Sequence, residues 1–355
     1  MRVLVTGATG YVGSRLVPAL LAEGHDVVAA ARDLTALDRF AWADRVERRH
    51  FDVEDTVSVH LAVRGVDAVV YLVHSMDDGD FVRKDREAAE RMAGAAAENG
   101  VGRMVYLSGL IPPGNLSDHL RSRLEVEEVL LGSSVPTVSL RAAMVIGSGS
   151  TSFELMRRMT ERVPFTPIPT WMRSTVQPIA VEDVVTIIAA ALEGDPRDRA
   201  YDVGAPERPT YPELLALFSD VAGLRRLQVP VPFLPVALVG RAVAVISGLP
   251  RGTVTALVES LSHDMVCRED DVLGDLLGGH HDFVTLRAAL ERSLAPEDDA
   301  TDPRGDLQSG DANDPEWAGG AVTVESGQPR LRPRTLLANL LLGAAQSRAE
   351  RVPRG

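Results

Sequence analysis

The stretch MRVLVTGATGYVGSRLVPALLAEGHDVVAAARD, residues 1–33, decides the fold. Val3, Leu4 and Val5 form a short apolar run of the kind buried in a parallel sheet, and Gly7, Gly10 and Gly13 follow at once. Gly7 lets the backbone turn where a side chain would clash, Gly10 clears room for a pyrophosphate, and Gly13 lets a helix pack close to the strand. The amides of Thr9, Gly10, Tyr11 and Val12 then stand at a helix N-terminus, where unpaired donors and the helix dipole favour a bound phosphate. A glycine triplet alone is a weak signal. Set between a strand and a helix, with a second strand from His25 to Ala31, it predicts a dinucleotide site.

The end of that second strand selects the cofactor. An acidic residue there accepts from the ribose 2′-OH of NAD, whereas NADP needs a cation. The chain reads Ala31-Arg32, and Arg32 offers a planar fork of donors to a phosphate. NADP(H) is the preferred reading. The alternative is NAD(H), with Arg32 solvated beside Asp33.

A length of 355 residues allows one large core or two modest ones. The net charge of −13 argues against a nucleic-acid partner, which requires a basic face. The lone cysteine, Cys267, excludes an internal disulfide, fits a reducing cytoplasm, and reads as a small buried apolar residue. No leader is expected before Met1, because the first strand starts almost at once. The apolar stretch Gln228 to Pro250 contains Pro230, Pro232, Pro235 and Arg241, which suits a pocket wall better than a membrane span. No HExxH pair is present, and His280-His281 has no partner at metal-ligand spacing, so no metal is assigned.

Strand and helix signals then alternate, the pattern of an α/β, Rossmann-type doubly wound parallel sheet. Candidate strands are Val3 to Thr6, Val27 to Ala31, Arg49 to Asp52, Ala68 to Leu72, Arg103 to Leu107 and Thr137 to Arg141. Asp80 to Asn99 and Leu120 to Leu131 read as helices ended by Gly100 and Gly132. From Gly147 prolines interrupt the pattern, which suggests a smaller substrate-side subdomain over about 147–294 within an NAD(P)-binding domain of 1–294. Helix signals return at Val181 to Glu193, Tyr211 to Ala222 and Leu286 to Leu294. Between Pro296 and Gly320 stand eight acidic residues against one Arg, so 295–330 reads as an acidic disordered linker. Residues 331–355 read as a short C-terminal helix and basic tail, for which docking on this chain's own surface or a partner competes with peripheral contact to an anionic membrane.

TGATGYVG, Arg32, FDVED with Asp52, and QPIAVEDVV together resemble the extended and atypical short-chain dehydrogenase/reductase superfamily, closest to its NmrA-like and complex I accessory-subunit-like branches. The resemblance covers about Met1 to Leu294. It implies that Asp52 and Val53 flank the adenine, that Leu72, Val73 and His74 pass under the nicotinamide-side ribose, and that Asp183 caps a helix ordering the pocket. DPEWAGGAVTV, Asp314 to Val324, resembles a linker that in some relatives leads to a further C-terminal ligand-binding domain.

These enzymes usually pair a Tyr general acid with a Lys four residues on, and a Ser upstream orients the substrate oxygen. In the matching helix His119 stands in the place of Tyr and Arg123 in the place of Lys, and Ser108-Gly109 follows the strand that carries the serine. Lys84 is the only lysine in the chain and no Tyr precedes it by four, so the standard pair is absent. In one reading His119 is the proton donor, with a pKa near neutral, and Arg123 contacts the cofactor. In the other both are ordinary polar residues and the cofactor is bound without turnover.

Three functions follow. The first is an NADP(H)-dependent reductase of a partly apolar carbonyl, enone or quinone, its walls at Met144 to Ile146, Phe165 to Trp171 and Val229 to Leu249. The second is a non-catalytic NADP(H) redox sensor or assembly factor. A sugar-nucleotide epimerase or dehydratase is disfavoured by loss of the Tyr and Lys pair.

Overall fold

The apolar runs at residues 3–5, 27–31 and 68–71 become strands buried on both faces. The computed structural model describes residues 1–74, 80–114, 116–247, 251–296, 306–315 and 317–331. β1 (Arg2–Thr6) leads through the glycine turn into α1 (Tyr11–Ala22). There follow β2 (Asp26–Ala31), β3 (Glu47–His50), α2 (Thr56–Val63), β4 (Ala68–Tyr71), α3 (Phe81–Glu98), β5 (Arg103–Gly109), α4 (Asp118–Leu131) and β6 (Thr137–Ala142). Beyond them come β7 (Met144–Ile146), α5 (Thr151–Arg162), β8 (Phe165–Ile168), β9 (Pro178–Ala180), α6 (Val181–Glu193) and β10 (Arg199–Val203).

The main sheet has seven strands in the order β10-β6-β5-β4-β1-β2-β3, all paired in parallel. The chain reverses direction across the sheet between β1 and β4, which opens a crevice at their C-terminal ends. The third strand lies at Glu47–His50, so Asp52 falls beyond it rather than inside it. β10 was not anticipated. Its sequence RAYDV carries no apolar run, yet Tyr201 and Val203 are buried against the core.

Pro18 sits inside α1 and cannot donate to the Ser14 carbonyl. The indole Nε1 of Trp42 donates to that carbonyl at 3.2 Å. Trp42 in turn stacks on Phe40, and the Arg39 guanidinium lies over the Phe40 ring. One proline therefore fixes the loop after β2 against the helix that follows the glycines.

The C-terminal half adds α7 (Tyr211–Val221), β11 (Leu227–Pro230), α8 (Val236–Ser247), α9 (Arg251–Ser260), α10 (Asp271–Asp275), α11 (Leu286–Ser293), and a hairpin of β12 (Val322–Glu325) and β13 (Gln328–Leu331). A capping box of Thr210 and Glu213 starts α7. Helices α5, α8 and α9 fill stretches where the sequence promised loops or only a wall. Among the described residues no helix is long and apolar enough to cross a membrane.

The reading of 295–330 as a disordered linker is corrected over its described part. Residues 306–315 and 317–331 form a strap across α1, α5 and α11, with Gln308, Ser309, Val322 and Val324 buried. Composition misled because two of the described acidic side chains, Asp306 and Asp314, turn inward onto cations. Asp314 pairs with buried Arg15, and Asp306 with Arg292. Glu154 and Glu161 of α5 receive the backbone amides of Gly319 and Ala321 at 3.0 and 2.7 Å. The helix and basic tail read at 331–355 lie, beyond Leu331, outside the described residues.

Candidate functional site

Gly7 adopts φ +67°, a conformation open to glycine, and a Cβ there would meet Leu72 at 3.5 Å. A Cβ on Gly13 would lie 2.3 Å from the Gly7 carbonyl oxygen. Gly7 therefore supplies a left-handed turn and Gly13 the close approach of helix to strand. The backbone amides of Tyr11, Val12 and Gly13 open α1 and have no intrahelical acceptor, which leaves them aimed at the crevice.

Beside this loop, Arg32 is exposed at the end of β2. Asp33, the next residue, accepts from the Thr35 hydroxyl and amide, and these bonds hold its pKa below the usual value. A side chain that sequence reasoning missed joins them, because Arg39 Nη2 donates to the Thr9 carbonyl at 3.3 Å. Asp52 Oδ1 accepts from the Glu54 amide, and the Val53 carbonyl accepts from Arg91. Both stand past β3, outside the main cavity.

The Thr6 hydroxyl donates to the Val70 carbonyl and accepts from the Leu72 amide at 3.1 Å, tying together the ends of β1 and β4. Leu72 and His74 then line a cavity of about 440 Å³ that also includes Gly7, Gly10, Tyr11, Val12 and Gly13. Val73, between them, packs into the core on the other side.

Ser108, His119 and Arg123 line the same cavity. β5 and α4 bring them opposite the glycine loop, and Arg123 Nη1 donates to the Tyr106 hydroxyl at 3.4 Å. Ser108 is buried, and no hydrogen bond of normal geometry reaches its Oγ. Arg123, then enclosure, then His119 hold His74 well below the usual imidazole range. Enclosure, with help from Arg123, brings His119 down to about 4. This departs from the near-neutral pKa expected for His119, and an imidazole so placed is neutral at pH 7.

Beyond these polar groups the walls are apolar. Met144, Val145, Phe165, Val239 and Val243 come from the expected stretches. Leu155, Met156 and Met159 of α5, Leu214 and Leu215 of α7, and Leu257 and Val258 of α9 come from helices whose part in the wall the sequence did not signal.

Asp183 does not cap its own helix, whose N-cap is Ala180. Its buried carboxylate accepts from the Val284 amide at 3.1 Å and sits 2.8 Å from His281 Nε2, anchoring the loop before α11. His281 therefore has a partner that sequence spacing concealed. Lys84 pairs with Glu54 at 3.8 Å. Burial pushes the Cys267 thiol up to about 12, so it is no nucleophile.

The residues present fit a dinucleotide: a glycine loop with a left-handed turn at Gly7 and no room for a Cβ at Gly13, helix amides without intrahelical acceptors, and the buried Ser108 hydroxyl in the same crevice. Residues 7–157 match the family model described as NAD(P)H-binding. Mycobacterial proteins are 30% identical over 147 residues, which is 41% of this chain and 15% of theirs. NADH dehydrogenase [ubiquinone] 1 alpha subcomplex subunit 9 of Arabidopsis thaliana is 26% identical over 66% of this chain and 60% of its own length. Triphenylmethane reductase of Citrobacter sp., solved with NADP(H), shares the fold with a TM-score of 0.66, 22% identity, and coverage of 83% of this chain and 100% of that one. The NADPH-dependent quinone oxidoreductase of Escherichia coli, solved with NADPH, has a TM-score of 0.66 and 19% identity over 81% of this chain and 98% of its own. Residues 7–157 thus match an NAD(P)H-binding family model, and the chain shares its fold with these reductases of known structure.

Proposed function

We propose that the chain is an NADP(H)-dependent reductase of a carbonyl, enone or quinone carried on an apolar body. The observation that carries this reading is the division of one cavity into a polar end, with His74, Ser108, His119 and Arg123, and an apolar end walled by α5, α7, α8 and α9. When bound, NADPH would supply the hydride and be left as NADP+, the substrate oxyanion would take its proton from solvent at the polar end, and the protein orients the reactants and manages charge. Arg32 and Arg39, beside a carboxylate already engaged by Thr35, favour a 2′-phosphate over a bare ribose. His119 and Ser108 donate hydrogen bonds to the substrate oxygen, and the Arg123 cation stabilises the negative charge that develops there. The apolar end excludes water and binds the rest of the substrate. A dye reductase and a quinone reductase with this fold, both solved with the phosphorylated cofactor, support the substrate class.

The test is a set of binding isotherms for NADPH, NADP+ and NADH, followed by NADPH oxidation with a naphthoquinone acceptor. NADPH should bind at least about tenfold tighter than NADH, and Arg32→Glu should erase that gap. Turnover lost in His119→Phe with NADPH affinity retained supports catalysis. Equal NADPH and NADH affinities, or no acceptor reduced, would refute the proposal.

A further inference from the structure

His25 lies in the turn between α1 and β2, at the end of the parallel sheet away from the glycine loop. Its side chain is 5% exposed, yet Nε2 has no hydrogen-bond partner among the described residues. A buried imidazole nitrogen left without a partner is costly unless something else meets it. Nε2 faces Oε2 of Glu23 and Oε1 of Glu193, each 3.8 Å away, too far for a hydrogen bond. The three atoms lie within 4.8 Å of one another.

That spacing suits an ion between them. Ligand bonds of about 2.0–2.2 Å to nitrogen and oxygen place neighbouring donor atoms roughly 3–3.5 Å apart. Both glutamate side chains are open enough to close the difference, at 40% and 66% exposure. The buried imidazole is the fixed member: with Nε2 on the ion, Nδ1 carries the ring proton and faces the Met1 nitrogen 3.4 Å away, which accepts as the free amine. The backbone adds to the attraction. Glu23 is the C-cap of α1 and Glu193 is the last residue of α6, so two packed helices direct their negative ends at one point.

We propose that Glu23, His25 and Glu193 bind a divalent transition-metal ion of the zinc class, clipping the C-terminal end of α1 to that of α6. One imidazole with two carboxylates is a borderline donor set that favours zinc, cobalt or nickel over calcium and magnesium, which prefer oxygen alone. Three protein ligands leave the remaining positions to water. The glutamates meet only in the folded chain, so the ion binds the native state in preference to the unfolded one and raises its stability.

The experiment is calorimetric titration of the metal-free full chain with zinc chloride, paired with thermal unfolding with and without zinc. The expected result is one saturable site per chain, unaffected by millimolar magnesium, with a rise in Tm of several degrees at about 100-fold excess over Kd. Glu193→Gln, at an exposed side chain, should leave the zinc-free Tm unchanged, weaken zinc binding at least about tenfold and abolish the zinc-dependent rise. His25→Gln should weaken binding at least as much. Zinc binding equal in native chain and both variants, multiple weak sites insensitive to Glu193→Gln, or no binding at about 1 mM zinc would overturn the proposal.

Discussion

The Arg15 guanidinium holds the Asp314 carboxylate through two hydrogen bonds of 2.9 Å, joining α1 to a residue 299 positions along the chain. Both side chains are almost fully buried, at 4% and 9% exposure. Arg15 also donates to the carbonyls of Ser148 and Leu307, so the helix that follows the glycines, the end of β7 and the strap share one cation.

Removing one member of a buried pair strands the other. Asp314→Ala should destabilise the fold by about 3–5 kcal/mol, whereas Glu90→Ala, at an exposed helical pair, should change stability by less than about 0.5 kcal/mol. Urea unfolding of the two variants checks this. Equal midpoints would show that the strap contributes nothing through Asp314.

The glycine loop is limited by backbone, which cannot move aside as a side-chain tip can. In Gly13→Ala the new Cβ meets the Gly7 oxygen at 2.3 Å and Ala8 Cα at 2.9 Å. The expected outcome is a loss of about 1–3 kcal/mol in stability and of at least about tenfold in NADPH affinity. A fluorescence titration measures the second, and retained affinity would contradict the close approach of helix to strand.

Ser108 Oγ is buried beside the Tyr106 hydroxyl, which Arg123 also reaches, so its loss removes at most one weak contact from the folded state. Ser108→Ala should unfold within about 0.5 kcal/mol of the native chain, yet lower kcat/KM with a naphthoquinone by about 100-fold. Large destabilisation with unchanged kinetics would assign the hydroxyl to packing.

The neutral state of His119 gives a pH signature. Its folded pKa, about 4, lies below the ordinary 6.5, so between those values the unfolded chain binds a proton that the folded chain refuses. This contribution to stability is complete above about 6.5 and is lost as pH falls towards about 4. NMR titration should show His119 neutral down to about pH 4 and shifted upward in Arg123→Gln. Turnover should also lack the decline above about 6.5 that an imidazolium donor would impose.

The dinucleotide loop, the parallel sheet and most of its strands were legible in the chain itself. Apolar runs, glycine positions and helix stops act over a few residues, and Val3 to Gly13 carries its backbone geometry wherever it folds. Tertiary structure alone decided which distant groups meet. His74 follows β4, Ser108 ends β5, and His119 and Arg123 ride on α4; a parallel sheet brings them to one crevice because it aligns the C-terminal ends of its strands. The acidic strap, the pairing of Asp183 with His281, and the approach of Glu23, His25 and Glu193 left no periodic trace. Such contacts depend on long-range closure of the chain, and local composition misreads inward-turned carboxylates as solvated ones.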